Sequence, residues 1–208
     1  SAAGCVIAVC AGMALHAPER ALPFWGASWT SRDLPIHKVP NRLSLLPQEC
    51  AIGAAELEQW LVALANSIPE REKDESLRRR SEIVVIYGLN RVRFVDLREF
   101  KPTEGAKALR RILQDGASVG IHVVAQCDDR ASLGRRLERQ DIMSFGTRVA
   151  VSGGGGRQLF DPKYGPEEIA PEFGWVERDD HLGKIRKFRT YGPQVRAWLE
   201  ACFPRKPS

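Results

Sequence analysis

Two short apolar runs in this chain each end in residues able to hold a ligand. Ile83-Val-Val-Ile-Tyr87 opens into Gly88-Leu89-Asn90-Arg91, and Gly120-Ile-His-Val-Val-Ala125 opens into Gln126-Cys127-Asp128-Asp129-Arg130. Buried parallel strands look like this when they deliver polar groups to the edge of an α/β sheet, and ligands of such sheets bind beyond the carboxyl ends of the strands. A carboxylate there can pair with a neighbouring guanidinium. Asp128 and Arg91 both follow apolar strands at the same edge, so a structural tie between them is the first expectation.

Other chemistries are poorly equipped. His16, His37, His122 and His181 are scattered without metal-ligand spacing, so no metal site is expected. No nucleophile–base pair and no dinucleotide glycine pattern is visible, so no catalytic residue is assigned. A phosphate cradle of the GxxxxGK[ST] type is absent from the chain. The nearest candidate, Gly153-Gly-Gly-Gly-Arg157, follows an apolar run and reads first as a surface loop. Its second reading is an anion-binding nest that lacks the lysine and the magnesium-binding hydroxyl.

The elements that must position these residues follow from periodicity. Cys5 to Cys10 reads as a first strand, Pro18 to Trp29 as a short helix and loop, and Ile36 to Leu46 as a second strand restricted by Pro40 and Pro47. Gly53 to Ile68 is a helix with Leu57, Leu61 and Leu64 on one side, and the charged run Glu70 to Glu82 is a solvated linker or helix extension. Ile83 to Tyr87 is the clearest strand. Helices are expected over Glu104 to Gln114, ended by Gly116, and over Ser132 to Met143; strands over Ile121 to Ala125 and Thr147 to Ser152. This alternation predicts a parallel sheet with right-handed crossovers. After the glycine run, Gly174 to Glu177 and Lys184 to Thr190 predict an antiparallel hairpin, and Gln194 to Phe203 a closing helix.

At 208 residues the chain is long enough for one well-buried domain. No apolar run approaches the roughly 18 residues that span a bilayer, and the opening segment lacks the basic region of a signal peptide. Five cysteines form no CxxC pair, so reduced thiols in a cytoplasmic protein are expected. The net charge of +5 leans towards a polyanionic partner, and its clusters say more: Arg78 to Arg80, Arg110 with Arg111, Arg135 and Arg136 with Arg139, and Lys184 to Arg189.

The series Tyr87-Gly-Leu-x-Arg91, Gly120-Ile-His122 and Phe145-x-x-Arg148-Val resembles, in order and spacing, the second half of the motor domain of FtsK/SpoIIIE-type DNA translocases. The likeness runs from about Ile83 to Tyr191 and is nearest to a divergent branch of that family. It implies an α/β fold: a mainly parallel RecA-like sheet flanked by helices, with a C-terminal antiparallel hairpin. Residues 1–208 then form one domain, with 157–208 its C-terminal extension, and residue 1 falls after the P-loop and its helix. The family's Walker B strand ends in Asp-Glu, where Tyr87-Gly88-Leu89 stands here; Asp96 and Glu99 are the next carboxylates.

By the same resemblance Tyr87, Gly88, Arg91, Asp128 and Arg148 lie near a nucleotide, with Asp128 at the position of the polar γ-phosphate sensor. The implied cofactors are ATP and Mg²⁺, which this chain alone is not expected to bind tightly. The implied partners are double-stranded DNA, an upstream domain of the same protein and neighbouring motor subunits, with no membrane contact. DNA contacts are expected from Arg135, Arg136 and Arg139 and from Lys184, Arg186, Lys187 and Arg189. Alternation along the last strand lets only one of its two pairs, Lys184 with Arg186 or Lys187 with Arg189, face DNA. The rival expectation is a catalytically silent RecA-like module that recognises a protein within a larger secretion or motor ATPase.

Overall fold

The computed structural model describes residues 2–16, 24–26, 51–52, 54–92, 94, 101–127, 137–154, 159–160, 168–178, 184–189 and 195–202. It is a mixed α/β structure with one parallel and one antiparallel sheet. The parallel sheet contains β1 (Phe24–Gly26), β2 (Ala51–Ile52), β3 (Glu82–Tyr87) and β4 (Ile121–Gln126), in the order β2-β1-β3-β4.

β3 buries Ile83 to Tyr87 without interruption. Val84 and Ile86 join one core cluster, and alternation sends Ile83, Val85 and Tyr87 to the opposite face. A parallel strand covered on both faces is apolar throughout for this reason. α2 (Ala54–Asn66) and α5 (Glu104–Asp115) supply the rest of the cluster, through Leu57, Leu61 and Leu64 from one helix and Ala108, Leu109 and Ile112 from the other.

The start of α5 is set locally. Thr103 is its N-cap, with Oγ1 accepting from Ala106 N–H at 3.3 Å. Glu58 of α2 reaches the same turn, its Oε1 accepting from Gly105 N–H at 3.0 Å. A Cβ on Gly105 would stand 2.8 Å from Glu58 Cγ, so the glycine lets the two helices close up. The α-helix stops before Gly116 as expected, but Gly116 keeps right-handed angles and opens a 3₁₀ turn to Val119. The left-handed residue is Gly120, at φ 83°. A Cβ there would also meet Arg78 O at 2.5 Å.

The charged run before β3 forms two short helices, α3 (Ile68–Lys73) and α4 (Glu75–Arg79). Asp74 caps α4, Oδ1 accepting from Ser76 N–H at 2.8 Å and Ser76 Oγ–H at 2.6 Å, and the Ser76 bonds hold its carboxyl below the usual value. Arg71 is buried inside this run. Its Nη1 donates to Leu77 O at 3.3 Å and Arg80 O at 2.9 Å, and Nη2 pairs with Glu82 at the start of β3.

Three expectations need correcting. Residues 5–10 lie within a helix, α1 (Ala2–His16), which buries Val6, Cys10 and Ala11 and packs against β4 and a C-terminal helix, α7 (Val195–Cys202). The segment with Trp25 contributes a strand, β1, to the parallel sheet. Finally, the strand expected at 147–152, found as β5 (Thr147–Gly154), does not extend the parallel sheet. It pairs antiparallel with β6 (Glu168–Arg178), which pairs antiparallel with β7 (Arg186–Arg189).

The expected hairpin is therefore present, within a three-stranded sheet. Gly153 and Gly154 continue β5 past a bulge and face Ile169 and Glu168, so the glycine run does not break the strand where it begins. α6 (Arg139–Met143) covers the described end of the helix expected over 132–143. No helix among the described residues is long and apolar enough to cross a membrane.

Candidate functional site

The two apolar runs finish side by side. β3 and β4 stay in register from Glu82 opposite Ile121 to Tyr87 opposite Gln126, so Gly88 and Cys127 emerge as neighbours at the carboxyl edge. Gly88 turns the chain with φ 84° and ψ 40°, a left-handed conformation that favours glycine, into a 3₁₀ turn over Leu89–Arg91. Its N–H is shared between two acceptors of one residue, Gln126 O at 3.1 Å and Gln126 Oε1 at 3.0 Å. Gln126 is buried, as are Tyr87 and Asn90, while Arg91 is half-buried.

A buried amide side chain thus closes the gap between the two strand ends. Gln126 was not singled out from the sequence, although being the first polar residue after Ile121 to Ala125 marked it as the strand's last position. Asp128, and with it the expected tie to Arg91, lies outside the described residues, as do Asp96 and Glu99.

The described residues at this edge do not fit Mg²⁺ or the phosphates of ATP. The end of β3 offers Tyr87, Gly88, Leu89 and Asn90, with no carboxylate for a divalent cation. The Gly88 N–H, a group that could meet a phosphate oxygen, is bonded to Gln126. Gly153 and Gly154 are committed to β5, and 155–157 lie outside the described residues. Among the described residues no three His, Cys, Asp or Glu side chains form a metal-binding group.

Arg148 sits on β5, in the antiparallel sheet. Its Nη1 donates to Phe145 O at 2.8 Å and Met143 O at 3.2 Å, and Nη2 to Glu177 Oε2 at 3.2 Å. The two side chains keep 2% and 4% of their exposure, so this is a buried ion pair across the β5–β6 ladder. Removing one partner of such a pair leaves a desolvated charge. Arg148 therefore has a structural duty that the sequence did not show, because Glu177 is 29 residues away.

The basic clusters divide by what they touch. Arg78 Nη2 donates to Glu72 O at 2.6 Å, and Arg79 pairs with Glu75 at 2.6 Å. Arg110 forks onto buried Asp141, with Nε to Oδ1 at 2.7 Å and Nη2 to Oδ2 at 3.0 Å, and reaches Glu138 Oε1 at 3.0 Å. Asp141 first, then Glu138, holds the Arg110 guanidinium above its usual pKa. Arg110 thereby ties α5 to α6, and Asp141 Oδ2 also accepts from Glu138 N–H at 3.0 Å.

Arg139 is exposed at the start of α6, bordering a shallow surface depression with Glu138, Gln140 and Met143. Arg135 and Arg136 lie outside the described residues. On and before β7, Lys184, Arg186, Lys187 and Arg189 are all exposed. The Lys187 ammonium sits 3.7 Å from the centre of the Phe173 ring. No family model matches the chain, and no curated protein matches it either.

Proposed function

We propose that this chain is the C-terminal part of an FtsK/SpoIIIE-like, ATP-driven DNA translocase motor. In this reading it supplies a RecA-like sheet, subunit contacts and basic groups, while the phosphate cradle, ATP and Mg²⁺ belong to an upstream domain or a neighbouring subunit of a ring. One observation carries the reading: the two runs that resemble the family's Walker B and sensor strands are adjacent, parallel and in register, with Tyr87 opposite Gln126. Crossover strands paired in this way put their polar ends at the edge where ligands of open α/β sheets bind. The double-stranded DNA partner rests on the resemblance and on exposed cations on and before β7, of which alternation lets only one face meet DNA.

A second reading has its own support. Among the described residues no acid follows β3 at the carboxyl edge, and the Gly88 N–H is satisfied from within by Gln126. Those features suit a catalytically silent RecA-like module that recognises a protein in a larger secretion or motor ATPase.

Fluorescence anisotropy of the chain on two unrelated duplexes, across a salt series, separates the two. Contacts to phosphates give binding without sequence preference, with Kd roughly 10⁻⁴–10⁻⁶ M near physiological salt, weakening as salt rises. A lone subunit also forfeits the avidity of a ring. No binding at low salt, or binding indifferent to salt, transfers the assignment to the protein-recognition module.

A further inference from the structure

The antiparallel sheet has two unlike faces, and β7 places one cation-bearing set of residues on each. Cross-strand partners share a face. Arg148 opposite Glu177, Ala150 opposite Trp175 opposite Lys187, and Phe173 opposite Arg189 define the first face. It holds the buried ion pair, and Lys187 is laid over Phe173. Val149 opposite Val176 opposite Arg186, and Gly174 opposite Phe188, define the second.

The second face is open. Val149 keeps 42% of its exposure, Val176 and Phe188 are half-buried, and Arg178 and Arg186 are exposed. The outer end of the Phe188 ring packs close on Gly174, where a Cβ would fall 2.3 Å from its Cζ. An aromatic packed on a glycine of the neighbouring strand helps to pin the register. Among the described residues, none that alternation assigns to this face within 147–151, 174–178 and 186–188 is acidic. The exposed acid Glu172 lies on this face of β6 by alternation, two residues before Gly174 and outside the stretch paired with β7, which begins with Phe173 opposite Arg189.

We infer that this second face, with Arg186 as its phosphate contact and Phe188 and Val149 as its apolar floor, is the surface that meets the sugar-phosphate backbone of a nucleic acid. The inference rests on the DNA-binding reading above and adds to it the choice of face. It selects Arg186 and sets aside Lys187, which the Phe173 ring holds on the other side. The competing account of β7 is that its charges merely blunt a sheet edge against pairing with other chains, which would make no distinction between the two residues.

The test compares Arg186→Gln with Lys187→Gln in the whole chain: adjacent exposed residues, the same charge lost, opposite faces. Duplex binding is followed by anisotropy across a salt series, with thermal melts to verify folding. Arg186→Gln is expected to weaken binding several-fold and to reduce the slope of log K against log salt by about 1, the signature of one lost phosphate contact. Lys187→Gln is expected to leave the slope unchanged, and Arg186→Lys to restore most of it. Equal losses from both variants, or a larger loss from Lys187→Gln, overturn the choice of face while the DNA-binding reading stands. A parent chain that binds no duplex overturns both.

Discussion

In the parallel sheet β3 buries every residue from Ile83 to Tyr87, with Val84 and Ile86 packed against apolar side chains of α2 and α5. In the antiparallel sheet β5 leaves Val149 exposed, and the most deeply buried pair across β5 and β6 among the described residues is charged, Arg148 with Glu177. One region is held by the transfer of apolar area from water, which is non-directional and tolerant of small shifts. The other depends on a directed contact that fixes β5 against β6 in one register. The difference is one of kind: the second sheet carries its buried ion pair on one face and leaves Val149 exposed on the other.

The sharpest way to break this contrast is to cut that fastening. Arg148→Ala or Glu177→Ala should each cost about 3–5 kcal/mol, because each strands a buried charge. The combined Arg148→Met, Glu177→Leu variant should recover much of the loss. Denaturant melts give the coupling, and hydrogen exchange gives the location: β5 and β6 amides are expected to lose protection while β3 and β4 keep theirs. Single variants with additive losses, or equal deprotection of both sheets, would show that the pair does not fasten the antiparallel sheet.

How much of this was legible depends on the range over which each force acts. The helices near Leu57–Leu64 and Ala108–Ile112, and the strands from Ile83 and Ile121, announced themselves because each buries a face whose period lies within a single segment. α1 did not, because Cys5 to Cys10 is uniformly small and apolar and carries neither the helical nor the strand period. β5 was legible as a strand but not as a member of its sheet. A Val-Ala-Val run reads alike in both, and its partner, β6, begins only at Glu168. The site divided in the same way. The strand ends were visible as changes from apolar to polar sequence, whereas the Gln126 link to Gly88, 38 residues apart, and the Arg148–Glu177 pair are contacts that no local pattern records.

A smaller effect sharpens the parallel half. Gly120→Ala puts a Cβ on a residue with φ 83° and within 2.5 Å of Arg78 O, at the turn that delivers the chain into β4. Strain of this kind costs on the order of 1–3 kcal/mol. Because Glu82 N–H donates to Gly120 O at 2.8 Å, the strain also acts at the start of the β3–β4 ladder. Melts should show this loss, with β3 and β4 amides now exchanging faster while β5 and β6 are unchanged. An unchanged melting temperature would mean that the turn yields freely, and that the apolar half is less tightly specified than its burial implies.

The smallest expected effect is on reactivity. Cys10 of α1 is fully buried, and desolvation pushes its thiol up to about 12 from an ordinary value of 9.0. The neutral thiol is favoured in the folded chain, so its contribution to stability is complete below pH 9.0 and is lost as pH rises towards about 12. Cys127 and Cys202 are by comparison half-buried cysteines outside any disulfide. Since the thiolate is the reactive species and needs access, native chain treated with iodoacetamide at pH 8 should be alkylated at Cys127 and Cys202 well before Cys10. Peptide mass mapping of timed samples reads the order. Alkylation of Cys10 as fast as Cys202 would mean that α1 does not seal against β4 and α7, and that the well-buried half of the molecule ends at its helices α2 and α5.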